Sequence, residues 1–204
     1  MKREHEINGE LPLEYKLVKC LKGTNNNSAS KWIDTGFVPN QDTEMILDVL
    51  VFKNKNNSFA SRMAGCENIG ANSGKFRIGG GSAGKWYTGY DGYGYQQVVN
   101  ITEGRHTLEI LKNVFKVDGQ TIYAYNYTTF TGYGSIWLYM IHSDNIADYA
   151  SMDLYSCQIK DNGTLARDYV PCYRIADMKP GLYDMVNGVF APGQGAETLT
   201  FEEL

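Results

Sequence analysis

The sequence predicts an all-β protein, two antiparallel sheets stacked as a sandwich with little or no helix. Three observations carry that prediction. Short segments rich in β-branched and aromatic residues recur along the chain, as pleated, half-buried strands require. Residues that tolerate tight turns, Asp118-Gly119 and Asp161-Asn162-Gly163, fall between such segments at hairpin spacing. No window sustains apolar residues at the 3.6-residue period with caps at its ends, so one short helical turn is the most expected.

The first strong strand is Thr43 to Phe52, apolar on both faces, with Met45, Leu47, Val49 and Val51 against Ile46, Leu50 and Phe52. That pattern predicts a central strand covered on both sides. Arg105 to Tyr125 reads as a three-strand meander: Arg105 to Leu111, a turn at Lys112-Asn113, Val114 to Val117, a turn at Asp118-Gly119, and a third strand from Gln120. Ser151 to Lys160 then pairs with Leu165 to Tyr173 as a hairpin. Asp153, Tyr155, Cys157 and Ile159 are expected on one face of its first strand, and Leu154, Ser156 and Gln158 on the other. Asn25 to Ser28, Asn54 to Asn57, and Gly79-Gly80-Gly81-Ser82 read as exposed loops, too short to be linkers. With 204 residues the chain is near the size at which one sandwich closes a single core. One domain is therefore expected over residues 13–204, preceded by a polar arm, residues 1–12.

The stretch SMDLYSCQIKDNGTLARDYVPCYRIADMKPGLYDMVNGVF, Ser151 to Phe190, resembles the C-terminal part of concanavalin A-like (LamG-like) jelly-roll domains of gut-bacterial surface proteins and their phages. Two upstream stretches extend the resemblance: Trp32-Ile33-Asp34-Thr35-Gly36-Phe37 with Pro39-Asn40, and Gly104-Arg105-His106-Thr107-Leu108 leading to Phe115-Lys116-Val117-Asp118-Gly119. Together they cover most of residues 11–195. The resemblance implies a concanavalin A-like jelly roll. That scaffold hosts many ligands, so it speaks to architecture before activity.

A formal charge of −4, with acids and bases interspersed, gives no basic stripe for phosphate, so no nucleic-acid partner is expected. The longest apolar run, Ile136 to Ile141, is far short of a membrane span, and Met1 to Glu10 lacks the apolar stretch of a signal peptide. Neither membrane insertion nor Sec export is expected. The expected location is a virion or an extracellular surface, reached by assembly, by lysis, or by a route the sequence does not encode. Cys20, Cys66, Cys157 and Cys172 show no C-x-x-C spacing, which argues against zinc. The hairpin register sets Cys157 opposite residues near Arg167 and Cys172 several residues further on, too distant for a bridge. All four are read as buried thiols.

Retaining glucanases on this fold carry Glu-x-Asp-x-x-Glu on one strand, so that nucleophile and acid share a face across the sugar. That pattern is absent: acids two apart occur at Glu4/Glu6 and Asp42/Glu44, and neither pair has a Glu three residues beyond. His5, His106 and His142 are read as structural, and no Ser or Cys sits in a nucleophile elbow. No enzyme activity and no catalytic residue are expected. Asp144, Asn145 and Asp148 offer hard oxygen ligands, but the spacing fits an Asx-rich turn, so no metal and no cofactor are expected.

Recognition chemistry concentrates in Lys85-Trp86-Tyr87-Thr88-Gly89-Tyr90-Asp91-Gly92-Tyr93-Gly94-Tyr95, read as a glycine-spaced aromatic loop. Sugar rings have apolar C–H faces and polar rims, which Tyr and Trp match. The candidate ligand-binding residues are Trp86, Tyr87, Tyr90, Asp91, Tyr93 and Tyr95. The alternative stays open that Trp86, Tyr90 and Tyr95 pack inside the sandwich while the glycines make turns. The expected function is a non-catalytic binding or adhesion module on a phage or prophage virion surface, with a glycan or virion subunits as partner and self-association left open. The alternatives are a carbohydrate-binding module of a gut bacterium and a glycoside hydrolase of the same fold.

Overall fold

The computed structural model describes residues 10–23, 31–54, 56, 59, 61–68, 73–81, 84–143 and 150–204, with residues 61 and 95–98 described by their backbone alone. These residues form strands and no helix. In chain order the strands are β1 (Tyr15–Leu17), β2 (Cys20–Lys22), β3 (Ile33–Asp34), β4 (Thr43–Val51), β5 (Ser61–Cys66), β6 (Lys75–Gly80), β7 (Lys85–Asp91), β8 (Tyr93–Asn100) and β9 (Gly104–Leu111). There follow β10 (Val114–Val117), β11 (Gln120–Ala124), β12 (Trp137–Leu138), β13 (Met152–Asp161), β14 (Thr164–Arg174), β15 (Lys179–Asp184), β16 (Val189–Pro192) and β17 (Thr200–Glu202).

The strands make two antiparallel sheets. The larger runs β11-β10-β9-β4-β13-β14-β15-β16, with β1, β2 and β17 attached at β13 and β14, and the smaller runs β3-β12-β5-β6-β7-β8. One core lies between them. The larger sheet contributes Met45, Leu47, Leu108, Ile110, Phe115, Leu154 and Ile159, and the smaller Ile33, Phe76, Ile78, Trp86, Tyr90 and Leu138. Burying each such side chain contributes about 1.5–3 kcal/mol, which is what holds two separately twisted sheets together. A satellite cluster forms on the other face of β14, where Val170, Cys172 and Tyr183 are covered by Leu11, Tyr15, Leu17 and Phe190. Leu11, assigned by sequence to the arm, is thus already packed against the domain. The arm before Glu10 with His5, the loop Asn25 to Ser28 and the acidic loop Asp144 to Asp148 lie outside the described residues.

Where turn chemistry is local, expectation and structure agree. The meander is β9-β10-β11, with its turns at Lys112 (φ 58°) and at Asp118-Gly119 (φ 52° and 78°). The hairpin is β13-β14, turning at Asn162-Gly163 (φ 47° and 79°), and Cys157 lies opposite Tyr169. All four cysteines are free and buried. Strand β4 is central, between β9 and β13, but its cover is one-sided: Met45, Leu47, Val49 and Val51 are buried while Ile46 and Leu50 are half-exposed.

Three local expectations are corrected. The strict alternation expected along β13 is broken by a register shift between Leu154 and Ser156, which turns Leu154 into the core beside Cys157 and Ile159. Gly79 and Gly80 are the end of β6 and not a loop, because they pair with Arg62 and Ser61 of β5. Asn54 is buried, and its carboxamide oxygen accepts from the Asn56 backbone N–H at 2.9 Å.

Candidate functional site

The stretch from Lys85 to Tyr95 is not a loop but the β7-β8 hairpin. Tyr90 pairs with Tyr93, leaving Asp91 (φ 49°) and Gly92 as the turn. Strand alternation then separates the candidate residues. Trp86, Thr88 and Tyr90 point inward and are fully buried, so Trp86 and Tyr90 have no ring face open to solvent. Trp86 meets His106 edge-on at 6.1 Å. The Tyr90 hydroxyl donates to the Thr128 carbonyl at 3.2 Å, and burial pushes its pKa up to about 12. Tyr93 is 47% exposed and stacks on Tyr125, whose hydroxyl donates to the Thr88 carbonyl. The Asp91 carboxylate accepts the Gly74 N–H at 3.2 Å. Tyr95 is placed by its backbone alone, opposite Thr88.

Tyr87 points outward, into a constellation that residue-by-residue reading missed. One cross-strand row on the outer face of the smaller sheet reads Asp34, Trp137, Gly65, Arg77, Gly89, Gly94, from β3 to β8. Gly89 and Gly94 make no turn. They keep the face bare so that Arg77 lies flat across it: a Cβ at residue 89 would lie 2.9 Å from the Arg77 Cγ and Nε, and one at residue 94 would lie 3.1 Å from its Nη2. The guanidinium stacks 4.1 Å from the centre of the Tyr87 ring. Its Nη1 donates to Glu67 Oε1 at 2.8 Å, and Arg62 Nη1 approaches the same oxygen at 3.6 Å. Arg77 and Glu67 are buried, at 7% and 2% exposure, and desolvation lowers the Arg77 pKa. Arg77 Nε has no hydrogen-bond partner among the described residues.

Across Gly65 from Arg77 stands an aromatic column. Trp137 stacks on His142 at 4.0 Å with 7° between planes and on Trp32 at 5.1 Å with 18°, while Tyr133 meets His142 edge-on at 6.0 Å. The column is built by the backbone after β12. Tyr139 adopts φ 71° while fully buried, a conformation that costs a bulky residue energy, and donates its hydroxyl to the Leu21 carbonyl at 2.7 Å. That turn brings His142 back alongside β5, bridged to Cys66, and its Nδ1 lies 3.0 Å from the Ser135 carbonyl. The signal for Trp137 was present in the sequence, since Ile136 and Leu138 flank it and period-two alternation sends the indole to the other face.

Adjacent strands lie about 4.8 Å apart, so the backbones of Trp137 and Arg77, two strands from each other, stand about 10 Å apart on either side of Gly65, which is itself buried. Trp137 is stacked by both His142 and Trp32, so the ring surface that the column offers a ligand belongs to the half-buried Trp32 and to Tyr133, 41% exposed, beside a fixed cation. Glu67, the buried carboxylate here, is held by two guanidiniums. His106 belongs elsewhere: its Nδ1 meets Asp118 Oδ2 at 2.7 Å and its Nε2 the Thr102 carbonyl at 3.0 Å, tying β9 to the β10-β11 turn. No group of three or more His, Cys, Asp or Glu side chains suited to a metal ion forms among the described residues. No protein-family model matches this chain, and no curated protein matches it.

Proposed function

We propose that the protein is a non-catalytic saccharide-binding module that takes its ligand on the outer face of the smaller sheet. The observation that carries this reading is the row itself: an aromatic column and a buried guanidinium stand on one sheet face, two strands apart with Gly65 between them. Ring faces stack on the C–H faces of a pyranose, and the fixed guanidinium supplies donors at its rim without an ordering cost at binding. Tyr87 is the member of the hairpin that this reading retains, as the ring on which Arg77 is held. The resemblance of residues 151–190 to concanavalin A-like domains supports the setting, a phage virion or bacterial cell surface.

A glycan array followed by calorimetry tests the reading. Trp137→Ala should weaken the best ligand by about 1–3 kcal/mol, the usual worth of an aromatic anchor, while Val189→Ser, on the outer strand of the other sheet, should leave affinity unchanged. Prolonged incubation should release no reducing ends. Equal affinity of wild type and Trp137→Ala, or turnover lost on replacing one acidic residue, would overturn it.

A further inference from the structure

We infer that Asn162-Gly163, the turn of the β13-β14 hairpin, is a self-modification site at which the backbone closes on the asparagine side chain and water opens the ring to isoaspartate. The inference is independent of the saccharide reading. In such a step the glycine nitrogen gives up its proton to hydroxide and attacks the asparagine Cγ; the bond from Cγ to the carboxamide nitrogen breaks, and ammonia leaves with a proton from water. Water then adds to one carbonyl of the cyclic imide. Breaking the bond from Cγ to the glycine nitrogen gives aspartate, and breaking the bond from the main-chain carbonyl carbon to that nitrogen gives isoaspartate. The net reaction consumes one water and releases one ammonia, with no oxidant or cofactor. The fold decides which pair reacts. The chain has three Asn-Gly pairs, of which Asn8-Gly9 lies outside the described residues. Asn162-Gly163 and Asn187-Gly188 are both exposed, so access to solvent does not separate them. Hydrogen bonding does. The Asn187 carboxamide nitrogen, the leaving group, donates to the Ala166 carbonyl at 2.8 Å and to the carboxylate of the buried Asp184 at 2.7 Å. The Gly188 N–H, the nucleophile, donates to the Asp184 carbonyl at 2.8 Å. At Asn187 both reacting groups are therefore held. At the other pair neither the Asn162 carboxamide nor the Gly163 N–H has a hydrogen-bond partner among the described residues; the Asn162 N–H alone is engaged, by the Asp42 carbonyl at 3.2 Å. The turn must open for nitrogen to reach Cγ, and little beyond that contact resists it. The product does not fit the turn. Isoaspartate routes the main chain through the side chain and lengthens a two-residue loop whose flanking residues, Asp161 and Thr164, face each other in the ladder. It also sets a new carboxylate next to that of Asp161.

The test ages the full wild-type chain in mildly alkaline buffer at physiological temperature, followed by peptide mapping with fragmentation that tells isoaspartate from aspartate. Asn162 should convert about tenfold faster than Asn187 or more, the rate equivalent of one hydrogen bond to a charged group. Conversion at Asn162 should accelerate with pH, because hydroxide generates the nucleophile. In denaturant, where the Asp184 contacts are gone, the difference between the two pairs should collapse. The isoaspartyl form, separated by ion exchange, should melt below the fresh chain, whereas Asn162→Asp should melt closer to it, since aspartate tolerates the left-handed conformation. Equal rates at the two pairs in the folded chain, or conversion of Asn187 first, overturn the assignment. A rate ratio that persists unchanged in denaturant overturns it too, because the fold would then not be its source. An isoaspartyl form that melts with the fresh chain overturns the consequence drawn for the hairpin.

Discussion

Trp86 and Tyr93 lie on adjoining strands of one hairpin, yet they have opposite consequences. Trp86 is 1% exposed, and its replacement by alanine removes a large core side chain. Trp86→Ala should therefore cost about 3–5 kcal/mol of stability in denaturant unfolding. Tyr93→Ala, at a ring that is 47% exposed, should cost less than about 1 kcal/mol. Equal costs would show that the hairpin is not seated as described. The division was legible in the residues themselves: Lys85, Gly89 and Asp91 share one face of the strand, and Trp86, Thr88 and Tyr90 the other. What concealed it was the glycine content, which reads as turn punctuation when each glycine is considered alone. Trp137 was concealed differently, since a tryptophan within an apolar run looks like core until the run is read as a strand.

At the level of elements, the glycines of the smaller sheet have distinct reasons for being glycine, and substitutions should rank accordingly. A Cβ at residue 65 would lie 2.0 Å from the Phe76 carbonyl oxygen, where φ is already +130°. Gly65→Ala should be severely destabilising, by about 3 kcal/mol or more, because backbone must move. Gly89→Ala meets the Arg77 side chain at 2.9 Å, which has room to shift only by giving up its place over Tyr87. It should cost about 1–2 kcal/mol and loosen the site, read as weaker ligand binding. Gly119→Ala, with open space around it and φ +78°, should cost about 1 kcal/mol from conformation alone. Thermal or denaturant unfolding of the three variants checks the order. The meander and the β13-β14 hairpin were legible because Asp118-Gly119 and Asn162-Gly163 are turns made by adjacent residues. The row through Gly65, Arg77, Gly89 and Gly94 was not, because it exists only once β5, β6, β7 and β8 are in register.

For the molecule as a whole, fold class was legible from strand spacing and turn residues, whereas the division of strands between two sheets depends on contacts far apart in sequence. The balance of buried charge is a property at this scale. Asp153 accepts the Gly23 N–H at 3.0 Å, yet burial pushes its pKa above the ordinary carboxylate value. The folded chain therefore holds this proton more tightly than the unfolded one. Its contribution favours folding below the ordinary carboxylate pKa and turns unfavourable as pH rises through the raised value. Asp153→Asn keeps the oxygen acceptor and removes that titration, so the variant should gain stability relative to wild type across this window; a constant difference at every pH would refute the assignment. The hydroxyl of Tyr139 reaches through the core to the Leu21 carbonyl of the opposite sheet, and the same residue's strained backbone sets His142 against Trp137. The outer face is thereby tethered to the far layer of the sandwich. A molecule that grips the ring column also resists separation of the two layers, so its binding should register as slower amide exchange at β2, a strand it never touches.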